Sequence, residues 1–140
     1  MVLERLHEIL RVDGMLVRHR KRPADLYQHL ASVIKTHRFD SVAGGAQAWV
    51  EEIVCELLTN IHQRLGARSF VFSGGVAMNV KLNKLLGALP FVESFFVCGS
   101  SSDESLSIGA CYVANHQAKV RNQPLTDLYL GDEHAKAHIE

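Results

Sequence analysis

Residues 69–73 (SFVFS) and 94–99 (SFFVCG) are short, aromatic and β-branched, a composition that suits a pleated strand. Between them Val76, Val80, Leu82, Leu85, Leu86 and Leu89 recur at helical spacing through residues 76–89, and Pro90 follows. Strand, helix and strand in so short a span imply parallel strands joined by a right-handed crossover. Another helical segment opens within SSSDESLSIGACYVANHQ and runs to about Lys119. This β–α–β–α order places the turns after both strands at one sheet edge, where open α/β sheets take ligands.

The first half reads as helices alone. Residues 2–12 (VLERLHEILRV) put Leu3, Leu6, Ile9 and Leu10 at helical spacing, and Asp13-Gly14 ends that segment. VRHRKRP at 17–23 reads as a basic loop closed by Pro23. A second helix is predicted from Ala24 to about Thr36, with Leu26, Leu30, Val33 and Ile34 on its apolar face. Asp40 or Ser41 is the expected cap of a long third helix. Its stripe is Val50, Ile53, Val54, Leu57, Leu58, Ile61 and Leu65, and Gly66 is placed to stop it. Two strands make a poor sheet, so the chain is expected to be part of a larger α/β domain.

Composition narrows the function classes. At 140 residues, 47% hydrophobic and 21% charged, the chain has a one-domain length and enough apolar residues for a core. Lys and Arg total 15, as do Asp and Glu, which argues against a general nucleic-acid binder. The sequence has no long apolar run and no signal-peptide pattern at Met1, so no membrane partner and a cytoplasmic location are expected. Cys55, Cys98 and Cys111 lack metal-ligand spacing and sit in apolar settings. They are expected to be buried free thiols in a reducing compartment.

Gly74-Gly75 lies between the first strand and its helix. Glycine lacks a Cβ, permits positive φ and lets another molecule approach the backbone. The helix N-terminus that follows suits an anion such as phosphate. Asn79, predicted about one turn into that helix, is a candidate hydrogen-bonding partner for a ribose or a carbamoyl group. The plain alternative is a structural turn that binds nothing. The stretch is neither a Walker A loop nor a dinucleotide fingerprint. After the second strand, Ser101-x-x-Glu104 fits a capping box, which would put Asp103 at the second helical position. A carboxylate at this edge could ligate a divalent metal, or merely favour the helix dipole. Gly109-Ala110 in the same helix is expected to allow close packing on the sheet.

In combination, FSGGVAMNVKLNKLL, the following strand, DESLSIGACYVA and LYLG resemble carbamoyltransferases of the NodU/CmcH type. The helix DSVAGGAQAWVEEIV looks like the family's helix before its glycine-glycine strand. The resemblance covers roughly residues 40–131. It implies an α/β fold forming part of a ribonuclease H-like/actin-like (ASKHA) domain, close to the tRNA threonylcarbamoyltransferases. It implies a carbamoyl group drawn from carbamoyl phosphate and ATP as carbamoyl-adenylate. That group would pass to a hydroxyl of an antibiotic, a Nod factor or a similar small molecule. It further implies that Gly74, Gly75 and Asn79 contact the nucleotide. Asp103 would complete a divalent metal site, iron or magnesium, with two histidines.

The sequence departs from the family pattern in places. Ser105 stands where a glycine is frequent, and Gly99 where a proline is common. The family's H-x-x-x-H pair has no counterpart before residue 70. His134 and His138 have that spacing but follow the linker-like LYLG segment, where a chance match is the simpler reading. The expected organisation is therefore a helical N-terminal segment at 1–39 and the C-terminal part of a catalytic domain at 40–120. A linker at 121–140 would lead toward an absent YrdC-like domain. Such a fragment should be inactive alone, needing no cofactor, and should dimerise or aggregate through exposed apolar surface. The alternatives are a nucleotide-binding, kinase-like module of the same fold and a free-standing interaction domain.

Overall fold

The computed structural model describes residues 2–124. They form an α/β protein with five α-helices and two small sheets. They divide into two compact units, one drawn from residues 2–71 and 80–95, the other from 72–79 and 96–124. No helix among the described residues is long and apolar enough to cross a membrane.

The first unit begins with α1 (Val2–His7), β1 (Leu10–Asp13) and β2 (Leu16–His19). The single helix expected over 2–12 therefore stops early, and the expected loop at 17–23 is partly strand. β1 and β2 pair antiparallel with Asp13 opposite Leu16 and Leu10 opposite His19. Asp13-Gly14 is thus the entry to a two-residue hairpin turn. Gly14 has φ +63 at the first loop position, where a type II′ hairpin takes glycine. Asn60 Nδ2 donates to the Gly14 carbonyl at 3.0 Å and holds the turn against the next long helix.

The second helix, α2 (Leu26–Lys35), is capped by Asp25, whose side chain accepts the Gln28 N–H at 2.9 Å. Val33 is buried, but Leu26 and Ile34, expected on the same apolar face, are exposed. The long helix α3 spans Phe39–Leu65, and its N-cap is Arg38 rather than Asp40 or Ser41. Asp40 acts from inside the first turn, accepting the Ser41 N–H at 2.8 Å and two bonds from the Arg38 guanidinium. Gly66 ends the helix in the left-handed region, with its N–H on the His62 carbonyl at 2.7 Å, as expected of a glycine stop. Ile53 and Leu58 are buried along the predicted stripe, while Leu65 at its end is exposed.

The core of this unit is Val2, Leu6, Ile9 and Val33, with Leu10, Leu30, Val42 and Trp49 packed against it. At Gly45 a Cβ would sit 2.9 Å from the Val2 side chain, so α1 and α3 touch where glycine leaves room. β3 (Ser69–Phe72) follows α3, and α4 (Val80–Gly87) contributes the fully buried Leu82 and Leu86. The His62 ring stacks on Phe91 with centroids 4.3 Å apart.

β4 (Ser94–Val97) pairs with β3 as the predicted parallel pair. The second unit holds the two loops that follow these strands, and then α5 (Ser105–Gln117). Among its residues α5 has none that is buried. Gly109 is exposed with open space where a Cβ would lie, so it serves no close packing. The helix closes at Lys119, which has φ 58, and the Val120 N–H reaches the Asn115 carbonyl at 2.8 Å.

Candidate functional site

The chain leaves β3 through Ser73 into Gly74, whose φ of 101 and ψ of 170 lie in a region that is nearly glycine-only. The sequence requires glycine here for its backbone conformation. Gly75 has no such constraint. A Cβ there would meet nothing within 4 Å, and the residue is exposed. Open space above bare backbone is what a ligand approaching the main chain needs.

The helix expected over 76–89 is broken in two. Gly75–Met78 is a 3-10 turn, closed by the Ala77 N–H on the Gly74 carbonyl at 2.9 Å and the Asn79 N–H on the Val76 carbonyl at 3.1 Å. Asn79 has extended backbone (φ −78, ψ 93) and directly precedes Val80, where α4 begins. It therefore stands at the break, half-buried, and not one turn into a helix. Asparagine side chains compete with helical backbone bonding and favour such positions. Ala77 is buried beneath the turn, while Val76, Met78 and Val80 are exposed.

The loop after β4 also differs from the expected capping box. Ser101 is fully buried, and its Oγ donates back to the Cys98 carbonyl at 2.7 Å. The Glu104 carboxylate accepts from Ser100 Oγ at 3.2 Å. With both partners engaged elsewhere, the reciprocal cap does not form. Glu104 precedes the first helical residue with αR backbone and no side-chain cap. The N–H groups of Ser105, Leu106 and Ser107 instead reach the carbonyls of Ser102, Asp103 and Glu104 in a tight first turn. Asp103 lies in that turn, two residues ahead of α5, with its side chain exposed.

One bond brings the two loops together: the Gly74 N–H donates to the Ser101 carbonyl at 2.8 Å. Gly74, Gly75 and Asn79 thus share one compact unit with Asp103. Ser101 is the member that sequence reasoning assigned the wrong task. Its signal is the run of three serines two residues after β4, where hydroxyls commonly bond nearby backbone.

No group of three or more His, Cys, Asp or Glu side chains among the described residues could hold a metal ion. Asp103 would supply one carboxylate and no more. His134 and His138 lie outside the described residues. Of the cysteines, Cys55 and Cys98 are half-buried and Cys111 is exposed, all free. The expectation of three buried thiols therefore fails, partly at Cys55 and Cys98 and fully at Cys111. Burial raises the Cys55 thiol pKa above its ordinary value, and the neighbouring Glu51 carboxylate adds to the effect.

Compared with known families, residues 5–112 match a family model described as carbamoyltransferase N-terminus. The match takes in Gly74, Gly75, Asn79 and Asp103. It also reaches into the N-terminal segment before residue 40, which the motif resemblance did not cover.

Proposed function

The chain belongs to the carbamoyltransferase family, and on that premise we propose that it forms part of the catalytic domain of an enzyme that carbamoylates a hydroxyl of a small-molecule acceptor. The carbamoyl donor is carbamoyl phosphate, activated with ATP as carbamoyl-adenylate. ATP supplies the adenylyl group for that activation. The observation that supports nucleotide binding is the exposed Gly74-Gly75 backbone, with open space above Gly75, tied by its hydrogen bond to the loop that carries Asp103.

In this reading the bare backbone of Gly74 and Gly75 lies against the nucleotide. The Asn79 amide, fixed at the helix break, orients the carbamoyl group or the ribose by hydrogen bonding. The described residues do not form a metal centre, so no step is assigned to a metal. Asp103 would complete an iron or magnesium site only with ligands from another part of the enzyme.

The parent domain is of the actin-like class, with a further layer packed on the face of β3 and β4. Support comes from the apolar side chains left in solvent on these strands, Val71 at 78% and Phe96 at 59% exposure. The 140-residue chain is then inactive alone and self-associates at high concentration. The test is carbamoyl phosphate-dependent carbamoylation by the polypeptide of the reading frame that contains this segment, beside the chain itself. Turnover by the former alone supports the proposal, and turnover by the chain alone refutes the fragment reading. ATP-dependent phosphorylation without carbamoyl transfer would assign a kinase-like module instead.

A further inference from the structure

The hairpin of the first unit gathers more positive charge than it neutralises. The register sets Arg11 directly opposite Arg18, an arrangement that is unfavourable for like charges unless something compensates it. Alternation along β2 puts Arg20 on the face of Arg18, and the Arg20 N–H continues the ladder to the Ile9 carbonyl at 2.9 Å. Asp13 compensates one of the three guanidinium groups, its Oδ2 lying 3.0 Å from Arg18 Nε. Among the described residues, Arg11 and Arg20 make no ion pair.

These two arginines line a cavity of about 270 Å³ together with His7, Leu10, Val12, Ile53 and Glu56. A single water needs only about 10–15 Å³, so the space is large enough for a polyatomic ion. Ile53, in its wall, is buried, while Arg11, Arg20 and Glu56 are exposed at its mouth and open to an ion from solvent. The His7 ring is held by Glu52, with Nε2 and Oε2 2.7 Å apart. Glu56 faces the same space and makes no ion pair among the described residues. Two guanidinium groups supply forked donors for oxyanion oxygens. A lone carboxylate beside them repels an anion unless that anion carries a hydroxyl to donate.

We propose that the cavity between Arg11, Arg20 and Glu56 is a binding site for a protonated phosphate-class oxyanion. Arg11 and Arg20 hold the charged oxygens, and Glu56 accepts a hydrogen bond from P–OH. Phosphate groups keep that hydroxyl near and below about pH 6, whereas sulfate has none to give. The site lies wholly within the first unit and does not depend on the carbamoyl reading of the glycine turn.

The test is a titration of the chain at about pH 6 with inorganic phosphate and with sulfate, following the arginine Nε–H resonances. Phosphate should shift Arg11 and Arg20 saturably, with sulfate weaker by about tenfold or more, a discrimination of about 1.4 kcal/mol. Arg11→Gln and Arg20→Gln should each weaken phosphate binding by a similar factor, and Glu56→Gln should remove the preference over sulfate. Arg38→Gln, at an exposed arginine on another element, should titrate like the parent. Phenyl phosphate binding as well as phosphate assigns an ester-bearing ligand, and weaker binding assigns the free ion. Equal phosphate and sulfate affinity in the parent chain overturns the proposal. Unchanged titrations in folded Arg11→Gln and Arg20→Gln variants do the same.

Discussion

The backbone N–H of Gly74 and the carbonyl of Ser101 are 2.8 Å apart, so the loop after β3 and the loop after β4 share a hydrogen bond. The bond depends on a φ of 101 at Gly74. Gly74→Ala should therefore cost about 1–3 kcal/mol of stability, read as a lower urea midpoint. Gly75→Ala should stay within about 0.5 kcal/mol of the parent, because a Cβ there meets nothing. On the proposed carbamoylating role, Gly75→Ala in the whole enzyme should still impair turnover by blocking close approach to the backbone. A fully active Gly75→Ala enzyme would remove the nucleotide role from this residue.

Gly45 tests the packing of the first unit. A methyl group there meets Val2 Cβ and Cγ1 at 2.9 Å. Neither atom belongs to the free end of a flexible chain, so α1 must move. Gly45→Ala should destabilise by about 1–3 kcal/mol. Gly44→Ala, with nothing nearby, should be neutral or stabilising through helix propensity.

Glu51 should shape the acid limb of the stability curve. The Gln47 side-chain amide, at 2.8 Å, and then Lys81 hold its carboxyl below the ordinary carboxylate range. A depressed folded pKa adds stability that is present above the unfolded value, about 4.3, and lost as pH falls through the folded one. Urea midpoints of parent and Glu51→Gln should thus differ at neutral pH and converge on acidification below about pH 4. A difference unchanged across that window would remove this contribution.

Thiol reactivity should follow exposure and charge. Cys111 is exposed, whereas burial and Glu51 disfavour the Cys55 thiolate. Mass-resolved alkylation with iodoacetamide near neutral pH should label Cys111 first and Cys55 markedly later. Equal rates would mean that α3 does not protect its thiol.

The second half was more legible because its punctuation is unambiguous. Aromatic strand residues stop at glycines, and Gly66 has no competing role. The hairpin was hidden because Leu6, Ile9 and Leu10 fit a helix, while Leu10-Arg11-Val12-Asp13 also alternates. Asp13-Gly14 serves equally as a helix stop or a hairpin turn, and only the pairing with β2 decides between them. At the candidate site, residue identities revealed which positions matter but not their backbone. Asn79 reads as part of a helix because the apolar period runs through it. Ser101 reads as a cap because Glu104 stands three residues on, but burial turns its hydroxyl inward to the Cys98 carbonyl. Leu65 and Ile34 continue their stripes into solvent, because periodicity reports which face is apolar and not how far its cover extends.

α5 carries 13 residues and none of them is buried, and a helix of that length is marginal in water by itself. Leu106 and Val113 lie bare along it. Its helicity is consequently a gauge of assembly. Amide exchange across residues 105–117 should slow when an apolar surface settles on Leu106 and Val113, before any chemistry is measured.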